Sequence, residues 1–201
     1  MTTCPKCGMG YIQGLPEDEK RHKPYHDRIV NGVPARPLKT DQVIWRASDQ
    51  RITVVTAHSP ISQRKRAEAV ASAANVEYDC GIYHAAETPD ERDAHLFLYH
   101  TRNRIIGVVI LEKQKTVWRC RWRGDNKPEC EELLGHDPMW SVVFIWVHAK
   151  NRNHGVAFHL LTEGLNYLGQ SQQSVGWYTP FTDSGRAFAK SICPDEFYVA
   201  K

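Results

Sequence analysis

Residues 142–168 read Val-Val-Phe-Ile-Trp-Val-His-Ala-Lys-Asn-Arg-Asn-His-Gly-Val-Ala-Phe-His-Leu-Leu-Thr-Glu-Gly-Leu-Asn-Tyr-Leu, and two hydrophobic periods follow each other within them. Val142 to Val147 is an unbroken apolar run, the pattern of a strand buried on both faces. His148 to His154 is polar and lacks proline. From Gly155 the apolar residues Ala157, Leu160, Leu161, Leu165 and Leu168 recur at three- and four-residue steps, one face of a helix. The stretch is therefore a buried strand, a basic loop and an amphipathic helix.

That order has a chemical consequence. The first turn of a helix carries N–H groups without intrahelical partners and the positive end of the dipole, and both favour phosphate. Gly155 allows close approach to the backbone, and Arg152 adds a planar cation. The segment is not a Walker loop, since no Gly-Lys-Ser/Thr follows, and with one glycine it is not a dinucleotide fingerprint. The spacing Arg152-x-x-Gly155-x-Ala157 resembles the pyrophosphate loop of the GNAT acetyltransferases. The resemblance implies acetyl-CoA as cofactor, held by Ile145, Trp146 and Val147 of the strand and by Arg152, Asn153, His154, Gly155, Val156 and Ala157 of the loop.

The rest of the chain sets bounds. Its 201 residues suffice for one ordinary domain and a small appendage. A 41% hydrophobic content with six Trp and eight Tyr excludes a disordered chain, and a net charge of +3 does not argue for nucleic acid. No apolar run is long enough to span a membrane, and Met1 to Lys6 lacks the apolar core of a secretory signal. An intracellular, reducing compartment is expected, in which paired cysteines mean metal more often than disulfide.

Residues 1–36 read as a finger and a linker, and 37–201 as the main domain. Cys4, Cys7, His22 and His26 follow the spacing Cys-x2-Cys-x14-His-x3-His, which fits tetrahedral zinc. A knuckle turns both sulfurs to one point, and two His one helical turn apart face the same side. The helix is expected to end at His26; its acidic start and Pro24 make it a poor reader of DNA, so direct DNA binding is not expected. Cys4-x-x-Cys7-Gly8-Met9-x-Tyr11, Pro16-Glu17-Asp18-Glu19 and His22-x-x-Tyr25-His26 together resemble the finger of the cohesin acetyltransferases of the Eco/ESCO type. In that family the finger precedes a GNAT domain, and the enzyme acetylates lysines of a chromosome-cohesion protein.

Gly32 to Pro37 reads as a proline-rich linker. Strands are expected at Val43–Trp45 and Arg51–Thr56, a helix from Ser59 to about Val76, and a hairpin pair at 94–99 and 104–111. Arg64, Lys65 and Arg66 on that helix suit a solvated end or an acidic substrate. This order fits an α+β GNAT fold, a mixed and mostly antiparallel sheet with flanking helices, and Arg104-Ile105-Ile106-Gly107 also resembles the cohesin acetyltransferases. Trp118, Cys120 and Trp122 alternate with Arg119, Arg121 and Arg123, a half-buried edge strand with a basic side. Residues 124–138 form an irregular insertion, and Cys120, Cys130 and His136 are a second metal candidate without knuckle spacing.

Acetyl transfer needs a base for an ammonium, a donor for the oxyanion and an acid for the leaving thiolate. Glu163, Asp183 and His148 are candidate bases, and Tyr178 is either a general acid or a core residue. Residues 177–189 resemble the C-terminal signature of the family, with Thr182, Gly185, Phe188, Ala189 and Cys193 matching; Thr182 and Ser184 are expected near the cofactor. Asp183 can equally cap the helix that follows. The family's acidic positions fall on Pro180 and Thr162, and its serine before the central strand on Val143. The reading is an acetyl-CoA-dependent N-acetyltransferase acting on a protein lysine, monomeric, with a cohesin-like acceptor and nuclear location in a eukaryote and a cytoplasmic one in a bacterium. The alternatives are a small-amine acetyltransferase of the aminoglycoside kind and a degenerate CoA- or partner-binding module.

Overall fold

The computed structural model of the protein describes residues 1–78, 93–123 and 128–200. Strands Thr2–Thr3 (β1) and Gly10–Tyr11 (β2) form a hairpin around the cysteine knuckle. Helix α1 spans Pro16–Asn31, with Pro16 at its first position and Glu17, Asp18 and Glu19 in its first turn, both favourable there. It runs five residues beyond the expected end at His26, through Pro24. Tertiary contacts sustain that last stretch: Asp27 pairs with Arg104 at 2.6 Å, and the Ile29 carbonyl lies 2.9 Å from the His148 ring. Gly32, at φ +85°, ends the helix.

Within the stretch read as a linker, Val33–Pro34 form strand β3, paired antiparallel with Ile105 and Arg104. Val33 and Ala35 are buried, which is why the segment is fixed and not free. The remaining strands are β4 (Gln42–Ala47), β5 (Gln50–Val55), β6 (Ala94–Thr101), β7 (Arg104–Gln114), β8 (Val117–Arg121), β9 (Glu129–Glu132), β10 (Met139–Val147), β11 (Gly176–Trp177) and β12 (Glu196–Ala200). Among the described residues they make one sheet in the order β4-β5-β6-β7-β10-β11-β12-β8-β9, with β3 against β7. All pairs are antiparallel except β10 with β11 and β11 with β12.

Helices cover both faces. Along β7, Val109 and Leu111 point to a core shared with Leu160, Leu161 and Leu165 of helix α3 (Val156–Tyr167). Val108 and Ile110 point to the opposite core, against Ala67, Val70, Ala71 and Ala74 of helix α2 (Ile61–Tyr78). The period of two in the strand thus meets the period of 3.6 in each helix. Helix α4 (Asp183–Ile192) lies on the α3 face, contributing Ala189, Phe188 and Ile192. Gly107 seats the start of α3: a Cβ there would stand 3.0 Å from Leu160 and 3.2 Å from Val156. No described helix is long and apolar enough to cross a membrane.

Candidate active site

The central strand β10 is paired with β7 along its whole length, but with β11 only at Ser141 and Val142. One further bond, from the Tyr178 N–H to the Val142 carbonyl at 3.0 Å, closes that short ladder. The chain after Tyr178 leaves through a cis Thr179–Pro180 bond into α4, while β10 runs on to Val147. Beyond Val142 the two strands are no longer paired, and among the described residues that edge of β10 has no strand partner.

A bulge decides which atoms face the gap. The β10–β7 register shifts at Val143, between Val142 and Phe144. His148 N–H bonds the Ile106 carbonyl at 2.8 Å, so by alternation Trp146 and Phe144 turn their backbone to β7, and Ile145 and Val147 turn theirs to the gap. Without the extra residue, the parity set by Val142 would place Ile145 the other way. Of the three strand residues expected at the cofactor, Ile145 and Val147 turn their backbone to the gap, whereas Trp146 turns its backbone to β7 and buries its side chain towards α2.

The loop after β10 is tightly held. His148 is buried, and Ala149–Asn151 make one 3-10 turn. Asn153 has φ +61° and Gly155 +77°, and Gly155 is the N-cap of α3 with no side-chain cap on the helix. A Cβ at Gly155 would meet nothing within 4 Å, so the positive φ, not crowding, demands glycine there. The first-turn amides of Val156 and Ala157 consequently remain available for an anion. Arg152 reaches back, its Nε donating to the Val147 carbonyl at 2.9 Å, and so braces the end of β10 beside the gap. His154 Nδ1 lies 2.6 Å from the Arg152 carbonyl.

The acid–base candidates are spread out. Tyr178 is 44% exposed and stands at the mouth of the gap. Thr182, not Asp183, caps α4, its hydroxyl accepting from the Gly185 N–H at 3.0 Å, and Asp183 lies in the first turn beside exposed Ser184. Glu163 lies 3.7 Å from His159, whose ring packs on Trp45 and Tyr99. That is the β4–β6 side of α3, away from the gap. Thr162 faces the other way and accepts from Gln172 at 2.9 Å. His148 is committed to the Ile29 carbonyl.

The metal ligands converge. The ligand atoms of Cys4, Cys7, His22 and His26 lie within 4.8 Å of one another, with Cys4 Sγ 3.3 Å from His26 Nδ1 and Cys7 Sγ 3.4 Å from His22 Nε2. A tetrahedral zinc with bonds of about 2.3 Å to sulfur and 2.0 Å to nitrogen separates such neighbours by roughly 3.5 Å. The backbone amides of Lys6 and Cys7 draw the Cys4 thiol down to about 6, towards the thiolate a metal needs.

Residues 1–28 match the family described as the zinc-finger of acetyl-transferase ESCO. N-acetyltransferase ESCO2 of Homo sapiens is 29% identical over 207 residues, covering 96% of this chain, and that of Danio rerio is 24% identical over 210 residues, again 96%. The chain spans only 34% of the length of each. N-acetyltransferase ECO1 of Kluyveromyces lactis is 23% identical over 231 residues, 95% of this chain and 85% of its own. The chain is similar to the ESCO/ECO1 N-acetyltransferases over nearly its whole length. Its fold is that of the xEco2 acetyltransferase domain solved with a CoA conjugate, with a TM-score of 0.66 at 21% identity over 81% of this chain and 98% of that one.

Two features of the structure were not legible in the sequence. Cys120 and Cys130 face each other across β8 and β9, Cα atoms 4.1 Å apart, and are joined in a disulfide. That sets aside Cys120, Cys130 and His136 as a second metal site, where His136 instead contacts the Asp137 carbonyl, while the metal reading of Cys4 and Cys7 stands. Nor is the basic side of β8 free, since Arg119, Arg121 and Arg123 pair with Glu131, Glu196 and Glu129. The second feature is the seat of the finger. Arg104 forks onto both Asp27 oxygens, Lys150 approaches Asn31 at 3.4 Å, and His148 takes the Ile29 carbonyl, so the end of α1 abuts the start of the loop before α3. Only the low apolar content of α1 hinted that it needed support from elsewhere.

Proposed function

We propose that the chain is an acetyl-CoA-dependent N-acetyltransferase whose acceptor is a lysine side chain of a protein. The gap between β10 and β11 is the observation that carries this reading. The unpaired edge suits an extended arm whose amides pair with the Ile145 backbone and the Val147 N–H, as a strand would, the Val147 carbonyl being held by Arg152. The amides of Val156 and Ala157 and the loop Arg152–Gly155 sit at the far end of that edge, where a diphosphate would be held. Acetyl-CoA supplies an activated thioester. The chain's own part is to orient that carbonyl against a β10 N–H, which stabilises charge developing on its oxygen. Tyr178, at the mouth of the gap, is placed to give a proton to the departing sulfur. Asp183 is the candidate that would take the ammonium proton through water; Glu163 is turned away from the gap and is the weaker choice. Zinc, held by Cys4, Cys7, His22 and His26, is structural in this reading, because all four ligands come from the protein.

Isothermal titration with acetyl-CoA, followed by thiol release with lysine peptides and with small amines, tests the proposal. Micromolar binding and peptide-dependent thiol release are expected. Arg152→Glu should weaken acetyl-CoA by at least roughly tenfold, since it removes a brace at the gap and puts a negative charge beside the diphosphate. Binding without thiol release from any acceptor would show a non-catalytic module, and unchanged affinity in the variant would place the diphosphate elsewhere.

A further inference from the structure

On the α4 side of the sheet, outside the gap assigned to acetyl-CoA, lies an open cleft of about 370 Å³. Trp118, Trp122, Pro180, Phe181 and Val199 wall it, and Thr179 joins it directly to Tyr178 at the mouth of the gap. The aromatic wall is fixed in place. Trp122 stacks on Phe197 with centroids 4.0 Å apart and donates its Nε1 to the Cys193 carbonyl at 2.7 Å. Arg186 of α4 lines the same cleft, half-buried. Among the described residues its guanidinium has no carboxylate partner, although Arg119, Arg121 and Arg123 are all paired. Lys190, one turn further along α4, lies over the Trp122 ring at 5.8 Å. Asp183, one turn before Arg186, makes no ion pair with it. The cleft is thus apolar and aromatic at its base and cationic at its rim.

Two cations at the rim repel an ammonium, so the acceptor lysine itself is a poor occupant. They favour a carboxylate, and the indole and phenyl walls favour an apolar neighbour. We propose that this cleft binds the acceptor protein beside the acetylated lysine, seating an aromatic or branched side chain against Trp118 and Phe181 and an adjacent Asp or Glu on Arg186. The proposal deepens the acetyltransferase reading and rests on it for the identity of the partner. It makes Arg186 a specificity residue that selects lysines in an acidic and apolar context.

The probes are N-acetylated, amidated peptides with one lysine and a Phe-Asp pair stepped along either side of it, with matched Phe-Asn and Ala-Asp peptides. Binding is followed by tryptophan fluorescence, and KM and kcat by thiol release with acetyl-CoA. At the preferred spacing, Phe-Asp should bind roughly tenfold or more tightly than Phe-Asn, with the difference in KM and not in kcat. Arg186→Ala should erase that difference while leaving acetyl-CoA affinity and the thermal midpoint unchanged, and Arg186→Lys should restore part of it. Turnover with no Asp preference, or the same preference in Arg186→Ala, overturns the proposal and leaves the acetyltransferase reading intact. Arg186-dependent Phe-Asp binding without turnover supports the cleft and sinks the enzyme. Absence of both sinks both.

Discussion

Replacing Gly107 by alanine probes how the start of α3 is held over the sheet. The added Cβ would stand 3.0 Å from Leu160 Cδ1, 3.2 Å from Val156 Cγ1 and 3.4 Å from the Trp146 carbonyl. Leu160 and Val156 are buried and the third neighbour is backbone, so none can yield without moving α3 or β10. Overpacking by one methyl costs about 1–3 kcal/mol. Alanine regains about 0.5–1 kcal/mol that glycine loses in ordering a strand. The net is a destabilisation centred on about 1 kcal/mol, within roughly 0–2.5 kcal/mol, or a thermal midpoint lower by roughly 2–4 °C at the central value for a chain of this size. The displacement falls on Val156, whose amide belongs to the first turn, so acetyl-CoA should bind several-fold more weakly. Calorimetric scanning and titration read the two effects, and Val156→Ala in the Gly107→Ala background should recover part of the affinity by vacating the contact. An unchanged midpoint and unchanged affinity would mean that α3 does not rest on Gly107, and the derivation of the site from that seat would fail.

Four further outcomes are expected. Chelating zinc should unfold β1, β2 and the first turns of α1, seen by far-ultraviolet circular dichroism, and should also weaken acetyl-CoA a few-fold, because His148 at the loop's start leans on the Ile29 carbonyl. Arg104→Ala, which removes a half-exposed forked contact worth about 1 kcal/mol, should weaken acetyl-CoA in the same direction with zinc retained; an unaltered affinity in both would separate finger from loop. Burial pushes His100 down to about 3, with Arg51 and Arg66 adding to the effect. The unfolded chain therefore binds more protons than the folded one between about pH 6.5 and 3, and stability must fall as pH drops through that window, by up to about 1.4 kcal/mol per unit. His95 is lowered too, so His100→Gln should flatten the slope of urea midpoints against pH without abolishing it; an unchanged slope refutes the assignment. Reducing Cys120–Cys130 should free β9, whose residues are all exposed and whose ion pairs to Arg119 and Arg123 are worth roughly 0.2–1 kcal/mol each. Hydrogen exchange should then rise at Glu129–Glu132 alone, and alkylation of Cys130 before any reduction would show that the bridge is not formed.

The sequence by itself determined the pieces whose signal is local. A two-residue knuckle, two histidines one turn apart, an unbroken apolar run and a change of period at Gly155 each depend on neighbours in the chain, so their elements and the zinc ligands could be read directly. The tertiary structure alone decided what depends on register and on partners far along the chain. A single bulge at Val143 chose which amides face the gap, turning Trp146 away, because a one-residue shift reverses every later residue of a strand. Strands β8 and β9 brought Cys120 and Cys130 together, and part of the supposed linker became β3 because Val33 found Ile105. Glu163 and Thr162 are adjacent in sequence yet face opposite sides of α3, since successive residues of a helix are separated by about 100°. Residue type is written in the chain, but the direction in which a residue points is settled by what packs against it.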